Sequence, residues 1–324
     1  MGQFLSNCST DALASAAQSL IEGSLVAFPT ETVYGLGADA TNAKAVARIY
    51  EVKGRPVDHP LIVHIADPKY LEQWISEIPE YAIALSRQFW PGPMTLILKR
   101  SALAKDFVTG SQGTVGIRIP SNSVALGLLE AFHQKGGKGV AAPSANRFGQ
   151  VSPTTADAVN DELGDFLANT DLVLDGGPSE VGVESTIIDC TSEKPRVLRP
   201  GAITSEMIEK VTGILINRES GLNTATPEIR VSGSLENHYS PKAKVILDQE
   251  PKIGSGFIAL ANISTPQGVI RLAAPKSIEE FAQNLYSALR EGDHQNLNSI
   301  YISQPAGDGL AIAIRDRLMR SAGD

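Results

Sequence analysis

The chain has 324 residues, 42% of them hydrophobic, enough for a sizeable core and for two domains, which excludes global disorder. Its 28 Lys and Arg stand against 36 Asp and Glu, a net charge of -8 that argues against a protein gripped to nucleic acid by an overall basic field. Cys8 and Cys190 lie far apart in no CxxC pair, so neither a disulfide framework nor a thiolate zinc site is expected. Residues 1–18 lack the charged and apolar regions of a secretory signal, and no apolar run reaches 18 residues. The expectation is a cytoplasmic protein with no membrane association.

In chain order, Asp11 is read as the cap of a helix ending near Gly23, with Leu13, Ala16, Ala17, Leu20 and Ile21 at helical spacing. A short strand over 25–28 is stopped by Pro29, and Asn42 caps a second helix running to about Val52. An apolar strand over 61–65 follows, then one or two helices over 68–89 broken at Pro79. Strands are expected over 95–98, 115–119 and 140–142, with helices over 124–134 and 154–163. Strands over 172–174, 186–190 and 196–198 and a helix near 204–211 complete this part. Helices and strands interleave but several strands come in pairs, so the predicted fold is α/β with a mixed twisted sheet rather than a pure βαβ array.

From about Gly213 to Lys242 the chain is rich in Asn, Ser, Thr, Gly and Pro without a sustained period, which reads as a long linker or lid. Beyond it, strands over 245–247, 257–261, 268–272 and 299–303 and helices over 278–290 and 310–320 make a second small α/β unit, Rossmann-like in pattern. The boundaries are drawn at 1–205, 206–242 and 243–324. Net charge is -6 over residues 1–204 and -2 over the rest, so neither half is a basic module.

Gly35-Leu-Gly37-Ala-Asp-Ala40 fits the loose dinucleotide fingerprint, but the expected strand ends six residues early and the helix cap is Asn42, so that reading is rejected. GxxxxGK(S/T), HExxH and paired-cysteine ligand sets are absent from the sequence. Polar loops instead follow apolar strands: Pro29-Thr-Glu-Thr32, Pro143-Ser-Ala-Asn146 and Arg199-Pro-Gly201, with a further Ser152-Pro-Thr154 turn. In a mixed sheet such loops gather at strand ends, where hydroxyls and N–H groups can meet an acceptor-rich ligand. Lys53-Gly-Arg55-Pro56 closes a helix, and its cations serve either the helix dipole or a polyphosphate. Arg118, between two Ile residues, is either on a solvated face or paired with a buried carboxylate. His64 in LIVHI reads by default as a core histidine.

Taken together, PTETVYGLGADA, KGRPxxxPLIVHI, WPGPMT, VGIRIP, APSANxxGxxSPT, ESTIID and RPGAI occur in the order and spacing of the YrdC-like threonylcarbamoyl-AMP synthases. The resemblance spans about residues 10–205, and HYSPKAKV with the closing GLAIAIRDRLMRSA resembles the longer two-domain members. It implies a nucleotidyltransferase that converts L-threonine, bicarbonate or carbon dioxide, and ATP with Mg2+ into threonylcarbamoyl-AMP and pyrophosphate. A downstream tRNA threonylcarbamoyl transferase would use the product to modify the adenosine beside the anticodon, leaving tRNA contact by this chain weak or indirect.

The resemblance further implies threonine contacts at Thr32, His64, Arg118 and Ser185, with the backbone around Ala142. It implies ATP contacts at Lys53, Arg55, Thr114, Ser144, Asn146, Ser152 and Arg199, with Tyr239 folding back over the nucleotide. His59 stands where the family usually has Asn, and is carried over as an ATP contact able to donate a similar hydrogen bond. Arg147-Phe148 replaces the small residues that often follow PSAN. Two other readings were an RNA-binding module without chemistry, disfavoured by the acidic balance, and a carbamoyl-adenylating enzyme, disfavoured by the lack of readable acylphosphatase or zinc-finger units.

Overall fold

The computed structural model describes residues 2–5, 8–216, 229–231 and 239–323. Most of the segment read as a linker or lid therefore lies outside the described residues, although Tyr239 is within them.

The chain opens with β1 (Gln3–Leu5), α1 (Thr10–Ile21), β2 (Val26–Phe28), β3 (Gly35–Asp39) and α2 (Ala43–Lys53). Next come β4 (Ile62–His64), a 3-10 turn over Pro68–Gln73, α3 (Glu80–Phe89), β5 (Met94–Lys99) and α4 (Asp106–Thr109). β6 (Thr114–Arg118), α5 (Ser123–Gln134), β7 (Val140–Ala141), α6 (Ala156–Leu163) and β8 (Leu172–Leu174) follow. β9 (Thr186–Asp189), β10 (Arg196–Arg199) and α7 (Ser205–Thr212) close this part. The strands form one mixed sheet in the order β1-β8-β2-β3-β7-β4-β6-β5-β9-β10.

Apolar residues on both faces of this sheet account for its stability. Ile49, Val63, Trp74, Leu96 and Ile117 belong to one buried cluster, and Leu20, Phe28, Leu128 and Phe132 to another. Buried side chains of this size each contribute roughly 1.5–3 kcal/mol relative to exposure. Asn42 caps α2 as its sequence suggests, accepting from the N–H groups of Lys44 and Ala45. The first helix is capped by Ser9 rather than Asp11, because the Ser9 hydroxyl accepts from Ala12 N.

β1, β3 and α4 go beyond the sequence expectation. The glycines of the rejected dinucleotide fingerprint are strand residues: β3 runs antiparallel to β2, with Ala27 opposite Leu36. A Cβ on Gly37 would come within 2.8 Å of both Phe28 and Val140, so crowding across the sheet explains the glycine.

The second unit contains β11 (Lys244–Leu247), β12 (Gly256–Ile258), β13 (Ile270–Ala273), α8 (Ile278–His294), β14 (Ser299–Ile302) and α9 (Leu310–Ala322). Its sheet is parallel throughout, in the order β11-β14-β12-β13. The strand expected over 257–261 ends at Ile258, and the helix expected to stop at 290 continues to His294. Val33, Val151 and Val183 share a buried cluster with Phe281, Leu285 and Ile314, so apolar packing joins the second unit to the first. Where α8 meets the first unit, a Cβ on Gly182 would lie 2.4 Å from the Ala282 carbonyl oxygen.

Candidate active site

Strand register assembles the first corner of the site. β4 and β6 run parallel with His64 opposite Arg118, so the alternation of side chains brings imidazole and guanidinium to the same face. Arg118 Nη2 donates to Glu31 Oε1 at 2.8 Å, and Glu31 Oε2 accepts from Ser121 N at 3.1 Å. Arg118 is therefore a buried carboxylate partner, one of the two possibilities its sequence context allowed. Among the described residues, neither Arg118 Nε nor His64 Nδ1 has a hydrogen-bond partner. Burial, aided by the Arg118 cation, pushes the His64 pKa down to about 3, leaving a neutral imidazole at neutral pH.

The Pro29-Thr-Glu-Thr32 turn adds hydroxyls. Thr30 Oγ1 accepts from the N–H groups of Thr32 and Val33 and donates to the Val33 carbonyl at 2.6 Å, fixing the turn through its own side chain. Thr30 and Thr32 hydroxyls lie 2.9 Å apart.

One cleft brings this corner together with more distant segments. Nine expected residues line it: Thr32, Arg55, His64, Arg118, Ala142, Ser144, Ser185, Arg199 and Tyr239. An isolated bridge between Gly35 and Ser144 sets the Pro143–Asn146 loop beside the Thr32 turn. Arg199 donates from Nε to the Ser185 carbonyl at 3.1 Å and from Nη2 to Ser185 Oγ at 3.1 Å. Ser185 Oγ lies 2.8 Å from Thr95 Oγ1. Burial lowers the Arg55 pKa to about 10, still cationic at neutral pH, and raises the Tyr239 phenol to about 12. Tyr239 holds a left-handed backbone with φ 64°, an uncommon conformation for a non-glycine residue.

Five expected residues are not among those lining the cleft. Lys53 is fully enclosed, donating to the Ser144 and Asn146 carbonyls, and burial with the nearby Arg55 cation lowers its pKa well below the usual lysine value. Asn146 donates to the Arg147 and Gln150 carbonyls, stiffening the same loop. Ser152 donates to Glu184 Oε1 at 2.6 Å. His59 packs edge-on against Phe148, and burial lowers its pKa from the ordinary 6.5. Thr114 lines a neighbouring small pocket with Gln112, Arg230 and Val231.

Sequence reasoning did not assign Glu31 or Glu184, although both stand inside motifs quoted for the resemblance. Glu184 lines the cleft and also accepts at Oε2 from Tyr286 at 2.8 Å and from Arg317 Nε at 2.9 Å. Burial alone would raise its pKa, but Arg317, Arg199 and these hydrogen bonds hold it down at about 2. The assembled groups suit anion binding: three arginines converge with hydroxyls and backbone amides. Among the described residues, no group of three His, Cys, Asp or Glu side chains could hold a metal ion.

The family model described as "Telomere recombination", covering Sua5, YciO and YrdC proteins, matches residues 18–201. A second model, "Threonylcarbamoyl-AMP synthase, C-terminal domain", matches residues 203–323. A Pyrococcus abyssi protein named threonylcarbamoyl-AMP synthase is 39% identical over 323 residues, covering 95% of this chain and 93% of that relative. A Bacillus subtilis protein of the same name is 41% identical over 330 residues, covering 96% and 93%. The crystal structure of P. abyssi Sua5 complexed with L-threonine matches with a TM-score of 0.87 at 37% identity, covering 99% of this chain and 97% of that one.

Proposed function

This chain belongs to the Sua5–YciO–YrdC family, and from that membership we infer that it synthesises threonylcarbamoyl-AMP from L-threonine, bicarbonate or carbon dioxide, and ATP. The observation that carries this reading at the level of the site is one cleft uniting the Arg118–His64–Thr32 corner with Arg55, Arg199 and Tyr239.

Arg118 receives the threonine carboxylate in this reading. Its guanidinium is planar, buried and already aimed by Glu31, and its Nε is available within the described structure. Neutral His64 contributes a ring nitrogen without adding positive charge beside the substrate amine. Thr32 and Ser185 supply hydroxyls to the amino acid, with the Ala142 backbone beside them. Arg55 and Arg199 bind ATP phosphates, and Ser144 and Tyr239 bound the nucleotide. Lys53 and Asn146 support ATP binding by holding the Pro143–Asn146 loop, and Ser152 does so through Glu184. His59 and Thr114 belong to the outer part of the nucleotide region.

The unprotonated threonine amine attacks carbon dioxide and, after loss of a proton, becomes a carbamate; with bicarbonate, hydroxide or water leaves. A carbamate oxygen then attacks the α-phosphorus, and the bond to the departing pyrophosphate breaks. No enzyme nucleophile is required, so this chain acts by positioning and by opposing negative charge. Glu184 is a poor base because its carboxylate is held strongly ionised by its partners. Both carboxylates identified in the site, Glu31 and Glu184, are engaged with arginines, so Mg2+ is read as arriving with ATP, whose phosphates it would screen.

The carbamate decomposes in water, and burial of Tyr239 against the second unit gives that unit the role of enclosing the intermediate. We keep the three-part division at 205 and 242, in which Tyr239 of the intervening segment lines the cleft. The product passes to a separate tRNA threonylcarbamoyl transferase, and the acidic net charge suits a weak or indirect tRNA contact. We place this work on tRNA in the cytoplasm; among the described residues, no helix is long and apolar enough to cross a membrane.

The test is pyrophosphate release by the full chain with Mg-ATP, with and without L-threonine and bicarbonate, alongside mass detection of the adenylate. Release that needs both additions and yields threonylcarbamoyl-AMP is the expected result. Release indifferent to threonine, or yielding a carbamoyl adenylate without the amino acid, would overturn the reading.

A further inference from the structure

Arg317 belongs to the second unit, yet its side chain is wholly buried against Glu184, which lines the cleft. Nε donates to Glu184 Oε2 at 2.9 Å, while Nη2 donates to the Pro200 carbonyl at 2.9 Å and reaches the Glu184 carbonyl at 3.4 Å. Nη1 donates to Asp316 at 2.6 Å, which leaves the guanidinium fixed from its own helix as well. Its Cζ also lies 5.6 Å from the centre of the Tyr239 ring. The Tyr239 carbonyl in turn accepts from Ser321 Oγ, one turn further along α9, at 3.0 Å.

The contacts Arg317 makes outside its own helix lead to residues placed above in the nucleotide region. Glu184 passes the constraint to Ser152, Pro200 carries it to the adjoining Arg199, and the ring contact reaches Tyr239 directly. The backbone junction is equally tight: a Cβ on Gly201 would lie 2.5 Å from Thr186 N and 2.8 Å from the Glu184 carbonyl. Arg317 bridges those two crossing segments from outside. In contrast, the contacts that hold Thr32, His64 and Arg118 come from Thr30, Phe28 and Glu31, all in the first unit.

We propose that Arg317 is a positioning residue for ATP, through which the second unit sets the geometry of Ser152, Arg199 and Tyr239 without touching the reacting atoms. The proposal rests on the synthase reading for its kinetic test, but it also makes a prediction about nucleotide affinity alone. Glu184 would act as the connector: its carboxylate has donors on both oxygens, and removing Arg317 leaves a buried negative charge beside a site for a polyanion. Neutralising both partners removes that charge conflict.

The experiment compares the full-length wild type with Arg317→Met, Arg317→Lys and the double variant Arg317→Met/Glu184→Gln. Arg317→Met is expected to raise the ATP KM about tenfold or more and the threonine KM by a clearly smaller factor, since of the threonine contacts Ser185 is the one held by Arg199, a split that general loss of fold would not produce. Arg317→Lys keeps the charge but loses the fork, and is expected to fall between wild type and Arg317→Met. The double variant is expected to recover part of the loss, which a cycle of wild type, Arg317→Met, Glu184→Gln alone and the double variant quantifies.

Thermal-shift titration with ATP reads nucleotide affinity independently of turnover and is expected to follow the same order. An unchanged ATP KM in folded Arg317→Met, or equal rises in both KM values, would overturn the proposal. If Arg317→Met does not fold, the Arg317→Lys split decides, with a matched loss for both substrates counting against it. Failure of the wild type to release pyrophosphate with threonine would refute the synthase reading instead, and the ATP titrations alone would then decide the positioning claim.

Discussion

Two buried arginine–carboxylate pairs flank the cleft, and they are finished differently. Arg118 and Glu31 meet at 2.8 Å, with Arg118 Nε lacking a partner among the described residues. Arg317 and Glu184 meet at 2.9 Å, and the surrounding Ser152 and Tyr286 hydroxyls complete the shell of the carboxylate. A buried ion pair is weak evidence for net stability, because desolvation offsets much of the attraction. Its completeness is more informative. In the proposed reading the incomplete pair is the socket for a second carboxylate, while the complete one, the brace, joins a residue of each unit.

The sharpest way to break this contrast is Arg118→Ala. If Arg118 anchors the threonine carboxylate as proposed, its loss should reduce kcat/KM for threonine on the order of 10²- to 10³-fold, as measured by threonine-dependent pyrophosphate release. Turnover near that of the wild type would remove Arg118 from the socket. Because Glu31 is left buried and unpaired, a lowered melting temperature should accompany the loss.

Lys53→Met probes a third arrangement, a buried cation satisfied by backbone carbonyls. Leaving the Ser144 and Asn146 carbonyls without their donor should cost about 1–3 kcal/mol of stability, read by denaturant unfolding. ATP KM should rise more than threonine KM, since the loosened loop lines the nucleotide side; an unaltered ATP KM would separate the loop from ATP binding. Tyr286→Phe tests the brace more gently. It deletes one donor to Glu184 while keeping the stacked ring against Tyr239, and should raise ATP KM by about threefold with threonine KM unchanged.

A separate contrast concerns acid stability, where the two regions should part by pH. His64 titrates near 3 in the folded chain against an ordinary 6.5, so the unfolded chain binds the extra proton between those values. Its contribution is complete above about pH 6.5 and falls as pH drops toward 3. Glu184 titrates near 2 against an ordinary 4.5, so its contribution begins to fall only below about pH 4.5. Melting temperatures from pH 7 to 4 should decline less steeply for His64→Gln than for wild type. Parallel curves would mean that His64 does not supply the first loss.

Much of this organisation is legible before folding. Apolar runs announce β2, β4 and β6, Asn42 announces α2, and proline-led polar turns point to the cleft. The three-strand neighbourhood around β3 is less legible because Gly37 looks like loop material until Phe28 and Val140 crowd it from across the sheet. The partner of Arg118 lies 87 residues away and that of Arg317 133 residues away. Local periodicity carries no trace of such pairings. Lys53 illustrates the opposite limit: its position in KGRP is conspicuous, but only the returning loop decides that its ammonium meets carbonyl oxygens in this conformation.

The contact at Gly182 offers a mechanical handle. With φ at 77° and the backbone of α8 only an absent methyl away, this position is a close backbone approach between the two units. Alanine there would act as a wedge at a hinge plate, altering no charge and no substrate contact. It offers a way to pry the brace from outside while leaving each of its polar groups chemically intact.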